Sequence, residues 1–268
     1  MRSTRLFWAL ILVLFGFVLL ASNLGFITVN VWRFFWPIFL IVLGVWFLVG
    51  TAMGPNEMKA IAGSVDLDDA KSASITIKHG AGRLAMNGVA EPGKLISGTF
   101  ALGLDPRVSR NADHLDVVMQ PQHQAFPDVL FPGNWIGGKG LEWNFGLSDD
   151  LPIDLVFEIG AVEAHLDLTA LNVKNISLQT GASSTNLKMP AAAGTTYLKI
   201  EAGAASINVH VPEGVAARIE SEHGLASVNV DQNRFPKLGG VYQSPDYEGA
   251  ENKADIRIET GVSSIEIH

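Results

Sequence analysis

The chain is 268 residues long, with a net charge of −8 from 27 acidic and 19 basic residues, and 48% of it is hydrophobic. This acidic balance excludes nucleic acid as the main partner, because phosphate binding needs a basic footprint. There is no cysteine, which removes disulfides, thiolate catalysis and zinc–thiolate sites.

Residues 6–22 read LFWALILVLFGFVLLAS and residues 34–50 read FFWPIFLIVLGVWFLVG, both without a charge. With apolar flanks each reaches the ~20 residues that a helical span requires. Leu, Ile, Phe and Val dominate, and each favours insertion by about 0.3–0.6 kcal/mol near a helix centre. Trp8, Trp32, Trp36 and Trp46 fall near the ends, where membrane-interface anchors belong. Pro37 lies in the first turn of the second span, where a missing N–H costs little. A cleaved signal peptide is the alternative for the first segment, but no A-x-A site follows and a second span comes directly after. The expectation is a retained multi-pass hairpin in the cell membrane, with the lipid bilayer as its first partner. Arg2 and Arg5 precede the first span, and the connecting loop carries only Arg33. The positive-inside rule then puts both ends of the chain, and the domain that follows, in the cytoplasm.

After a polar linker the chain reads as β throughout. Apolar residues alternate, turn residues recur, and no long stretch has a helical period. Six copies of one strand–glycine–strand unit stand out. The clearest are ISLQTGASSTNL at 176–187 and LKIEAGAASINV at 198–209, and the others centre on Gly80, Gly160, Gly224 and Gly261. Counted from the glycine, positions −5 and −3 in one arm, and +4 and +6 in the other, are apolar except at Ser221 and Thr185, so each arm is a strand with one inward face. The glycine is expected to supply a backbone conformation closed to other residues. Gly160, Gly181, Gly203 and Gly224 are 21, 22 and 21 residues apart, a period that suits one coil of a β-solenoid.

The expected organisation is a two-helix transmembrane hairpin over 1–53 (spans at about 6–24 and 33–51), a linker at 54–64, and an all-β solenoid over 65–268. Further strands are expected within 91–150, including 94–101 and 114–120. Irregular segments at 121–150 and 231–254 are expected to cap open sheet edges.

Three outward rows line up between coils. Position −2 holds Glu158, Gln179, Glu201, Glu222 and Glu259; position +5 holds Asn186, Asn208 and Asn229; position +3 holds Ser184, Ser206, Ser227 and Ser264. The Asn and Ser rows read as ladders that register the strands. The glutamate row is either a solvated face or a contact face for a partner. Seven histidines are scattered without metal-ligand spacing. No G-x-S-x-G, P-loop or dinucleotide fingerprint occurs, and Gly137-Gly-Lys-Gly140 lacks the following Ser/Thr. Trp135 and Trp143 read as packing a cap. The expectation is a protein that is not an enzyme, with no catalytic residue, cofactor or metal.

The hairpin, in which W-R-F-F-W-P opens the second helix at 32–37, resembles the LiaI/LiaF-type transmembrane region of bacteria. GAGRLAMNG at 80–88, the stretch 141–168 and the later repeats resemble the toast-rack domains of LiaF-like proteins. The resemblance implies a non-enzymatic cell-envelope protein that regulates or senses envelope stress through protein–protein contacts of its solenoid. Its implied partner is a membrane protein, a histidine kinase. The alternative is a structural, adhesin-like scaffold that self-associates as a homo-oligomer.

Overall fold

The computed structural model describes residues 31–52, 60–122, 141–223 and 226–268. The chain divides into two units, Met1–Gly54 and Pro55–His268.

The first unit contains helix α1 (Val31–Ala52), 22 residues long and so about 33 Å. It begins upstream of the expected span, which moves Pro37 from the first turn to a position inside the helix. Pro37 has no N–H to give to the carbonyl of Arg33, a loss that helices in apolar surroundings tolerate. Apolar side chains from Ile38 to Val49 are exposed on every side, the pattern of a helix that needs an apolar environment. Phe35 and Phe39 stack at 5.9 Å, with Trp36 edge-on to both. Among the described residues, no helix is long and apolar enough to cross a membrane. The expected first span, with Trp8, lies outside the described residues, as does the side chain of Trp32.

Among the described residues the second unit has seventeen strands. Two long ones, β2 (Ser72–Val89) and β7 (Ile153–Asp167), run through two faces. In later coils the same path is split at the glycine corner into β8 (Val173–Thr180) and β9 (Ser184–Lys188), β10 (Thr195–Ala202) and β11 (Ser206–His210), β12 (Val215–His223) and β13 (Ser227–Val230), and β16 (Asn252–Thr260) and β17 (Ser264–Ile267). On the first face the parallel order is β2, β7, β8, β10, β16, β12. On the second it is β2, β7, β9, β11, β17, β13. The last coil in sequence, β16–β17, therefore lies between the coils of Gly203 and Gly224 and does not end the stack.

Inward rows run through this order without a break. Position −5 is Ile75, Leu155, Ile176, Leu198, Ile256 and Ile219, and position +6 is Met86, Leu166, Leu187, Val209, Ile267 and Val230. All twelve side chains are buried. Each contributes on the order of 1.5–3 kcal/mol.

The repeat glycine has a different role from the expected one. None of Gly80, Gly160, Gly181, Gly203 and Gly261 has a positive φ. What Gly160 and Gly203 lack is room. A Cβ on Gly160 would stand 2.2 Å from the carbonyl oxygen of Gly80, and one on Gly203 would stand 3.0 Å from that of Gly181. The corners stack backbone on backbone.

Further strands pair with both ends of the first face. β5 (His114–Pro121) pairs parallel with β2, and β4 (Leu104–Asn111) closes its far side with an exposed, Arg-rich strand that carries Pro106. Such an edge resists further pairing. On the second face, β6 (Glu142–Leu147), β3 (Lys94–Ala101) and β1 (Ala60–Asp66) follow β2. Residues 60–64, expected as linker, are thus strand. Antiparallel pairing from Ala60–Ala101 to Val65–Ile96 holds them, although Ala-Ile-Ala-Gly-Ser shows little alternation. Likewise 142–147, expected as irregular, is strand. At the other end β15 (Val241–Gln243), paired with β14 (Lys237–Leu238), lies antiparallel on β12 at Arg218 and Ile219. Ser244 there exchanges two hydrogen bonds with the backbone of Ala217, at 2.8 and 2.9 Å.

Candidate functional site

Strand register brings the expected glutamate row together in a changed order: Glu158, Gln179, Glu201, Glu259, Glu222. Lys78 precedes Glu158 in the same row. The carboxylates do not stand alone. Lys78 lies 2.8 Å from Glu158. Lys199 pairs with Glu201 and reaches Glu259 at 3.4 Å. Arg257 bridges Glu259 and Glu222, each at 3.2 Å. Hydrogen bonding to Glu201 raises the pKa of the Lys199 ammonium, against a smaller desolvation effect. Lys199 and Arg257 stand two residues before the row and so share its face. That signal was present in the sequence and was missed. These are surface pairs, which contribute little to stability. Glu201→Gln is expected to leave the urea midpoint unchanged within error, and a large shift would show that the row is structural.

Glu158, Gln179, Glu201 and Glu259 of the row, with the corner glycines Gly181, Gly203 and Gly261, line a shallow open groove. A second concavity, of ≈ 510 Å³, lies across the first face around exposed Tyr197, with Lys199, Arg218, Asp255 and Arg257 on its walls. Behind it Tyr247 is buried under two cations, Arg218 at 5.1 Å and Lys253 at 5.3 Å from its ring. Desolvation, then a hydrogen bond to Asp255, pushes its phenol up to about 12. This aromatic clamp holds Tyr247 against β12 and β16.

A third concavity, of ≈ 500 Å³, lies beside β2, lined by His79, Gly80, Gly160, Leu141 and Trp143 among others. Trp143 is buried, as expected of a packing residue. Its indole N–H donates to the Ala101 carbonyl at 3.2 Å, and its ring meets Phe100 edge-on at 5.2 Å. Trp135 lies outside the described residues. The His79 ring packs on Trp143 at 4.8 Å, and its Nε2–H donates to the Leu141 carbonyl at 3.2 Å. Its Nδ1 is buried without a partner.

Burial lowers the His79 pKa to about 4, against a smaller upward effect of the Leu141 hydrogen bond. The unfolded chain titrates near 6.5, so it binds more protons than the folded one between those values. The contribution of neutral, buried His79 is full above about pH 6.5, falls as pH drops through the window, and is gone below about pH 4, for a total of about 3 kcal/mol. Urea midpoints measured from pH 7.5 to 4 should show this fall, and His79→Phe should flatten that part of it.

His210 and His268 lie adjacent, with ring centroids 5.1 Å apart. Among the described residues, no three His, Asp or Glu side chains could hold a metal ion. His123 and the His223 side chain lie outside them. The serine row is continuous, as Ser184, Ser206, Ser264 and Ser227. The asparagine row is not. Glu266 stands between Asn208 and Asn229 because the last coil is inserted there.

A family model described as the N-terminal domain of toast_rack matches residues 54–210. The chain belongs to the toast-rack family. A second model, the LiaI-LiaF-like transmembrane region, matches residues 6–48 of this toast-rack chain. Together they place it in the membrane-associated LiaF-like family. No curated protein matches the chain. A solved structure from Clostridium sporogenes, of a protein whose name assigns it provisionally to cell adhesion, has a TM-score of 0.66 and 22% identity over 78% of this chain and 98% of its own. That likeness supports the toast-rack fold as a stacked β architecture.

Proposed function

We propose that this chain is a non-enzymatic, membrane-anchored protein of the bacterial cell envelope that regulates or senses envelope stress through contacts of its solenoid with another membrane protein. The observation that carries this reading is the union of two matches in one chain, a LiaI-LiaF-like transmembrane region at 6–48 and a toast-rack domain from 54. The lack of nucleophile, phosphate-loop and dinucleotide motifs in the sequence agrees with a binding role. By family resemblance the partner is a histidine kinase.

The glutamate row is the contact face in this reading. Its carboxylates are already paired, so a basic partner must displace Lys199 and Arg257, and binding should weaken with salt. The test is removal of the chain from its source cell, followed by a wall-active antibiotic. Envelope-stress transcription should change and be restored by the returned chain. Unchanged transcription contradicts the reading.

The charge bias of Arg2 and Arg5 over Arg33 favours a cytoplasmic solenoid. Protease should then digest it in inverted vesicles and spare it in intact cells. The opposite result supports the second reading, an adhesin-like scaffold facing outward, which rests on the name of the Clostridium sporogenes structure.

A further inference from the structure

The inserted coil is gripped by contacts that other coils do not reproduce as a set. The Asn252 side-chain oxygen accepts from the Gly194 N–H at 3.0 Å, and Ser263 Oγ accepts from the Ala205 N–H at 3.2 Å. Glu259 meets Lys199, Arg257 meets Glu222, and Asp255 meets Arg218 at 2.9 Å. Backbone pairing is parallel and in register on both flanks.

The repeat positions permit a second packing. With β16–β17 out of the slot, β12–β13 can close on β10–β11 by the same repeat positions. Asn229 would then continue the row of Asn186 and Asn208. In the closed stack Glu266 occupies that place, and the Asn208 side-chain oxygen is buried without a hydrogen-bond partner. Insertion thus leaves one amide unsatisfied and gains three sets of charge pairs. Two packings built on the same repeat positions can make a bistable element.

We propose that the coil Asn252–Ile267 is exchangeable, and that the partner which supplies or receives it is a second copy of this chain. An emptied slot keeps Lys199, Glu222, Arg218, Gly194 and Ala205 as its walls, and the segment on the page that answers all five is the same coil from another copy. The coil reaches its slot through residues 248–251, largely exposed, while Tyr247 just before them stays clamped to the stack. Those few residues are the hinge. Reciprocal exchange through a short hinge closes a symmetric dimer and leaves no new edge.

The test uses the full chain in detergent. Because there is no native cysteine, engineered thiols report alone. Ser206 and Ser264 are register partners on neighbouring strands and both are exposed. Neighbouring strands lie about 4.8 Å apart, within disulfide reach. Single variants Ser206→Cys and Ser264→Cys are mixed, warmed to the unfolding midpoint, cooled and oxidised. Exchange predicts a mixed disulfide dimer several-fold more abundant than either like-with-like dimer, and rising with protein concentration. The double variant S206C/S264C should close within one chain. Closure in the double variant with no excess of mixed dimer overturns exchange. Failure of the double variant to close overturns the inserted order on which it rests.

Discussion

Gly160→Ala is expected to destabilise the solenoid by about 3 kcal/mol, while Gly181→Ala, at the same position of the next repeat, is expected to be neutral or slightly stabilising. The first substitution drives a methyl to 2.2 Å from the carbonyl oxygen of Gly80. That oxygen is a backbone atom held by the β2–β7 ladder on either side, from Ala73–Ile153 to His79–Ile159 and from Ala81–Ala161 to Met86–Leu166, so it has no rotamer in which to retreat. Overpacking a rigid site costs about 1–3 kcal/mol and sometimes more. At Gly181 the added methyl meets the Gly160 oxygen at 3.6 Å, an ordinary contact. Removing a glycine there restricts the unfolded chain, a gain of about 0.4–1 kcal/mol. Denaturant midpoints of the two variants check the contrast. Equal effects would mean that the corner glycine serves φ, as the sequence suggested, and not close approach.

Ile258→Ala is expected to cost about 2–5 kcal/mol. Ile258 is fully buried in the −3 row, between Ile200 on one side and Ser221 on the other. The pattern of the loss says more than its size. In the inserted arrangement the cavity opens between two coils, so amide exchange should accelerate in both β10 and β12. If coils stacked in chain order, β16 would be terminal and β10 would keep its protection. Hydrogen exchange of the variant separates the two.

Most of the inner architecture was legible because a strand alternates with period two. Ile75, Leu155, Ile176, Leu198, Ile219 and Ile256 all fall inward where the count from glycine put them. The order of coils was not legible, for a physical reason. When every coil presents the same positions to its neighbours, exchanging two coils leaves the apolar rows intact, and period alone cannot rank the orders. The charges could have done so. Arg257 between Glu222 and Glu259, and Lys199 beside Glu201 and Glu259, are best compensated when the last coil lies between the other two. The asparagine ladder misled, since Asn186, Asn208 and Asn229 align only if coil follows coil. The glutamate row was found, but its partners were not, because they lie on the same face two residues earlier. His79 and Trp143 meet across a long sequence separation, where no local pattern links them.

The coil order is the central claim, and one pair of disulfides tests it most directly. Glu201 and Glu259 are register partners on β10 and β16, and Glu222 lies one strand further on β12. The double variant E201C/E259C should oxidise rapidly within one chain, since its Cα atoms are about 4.8 Å apart. In E201C/E222C the two positions are two strand spacings apart, beyond disulfide reach, and the thiols should stay free. Ready closure of E201C/E222C, with E201C/E259C open, would contradict the inserted coil and restore a stack in chain order.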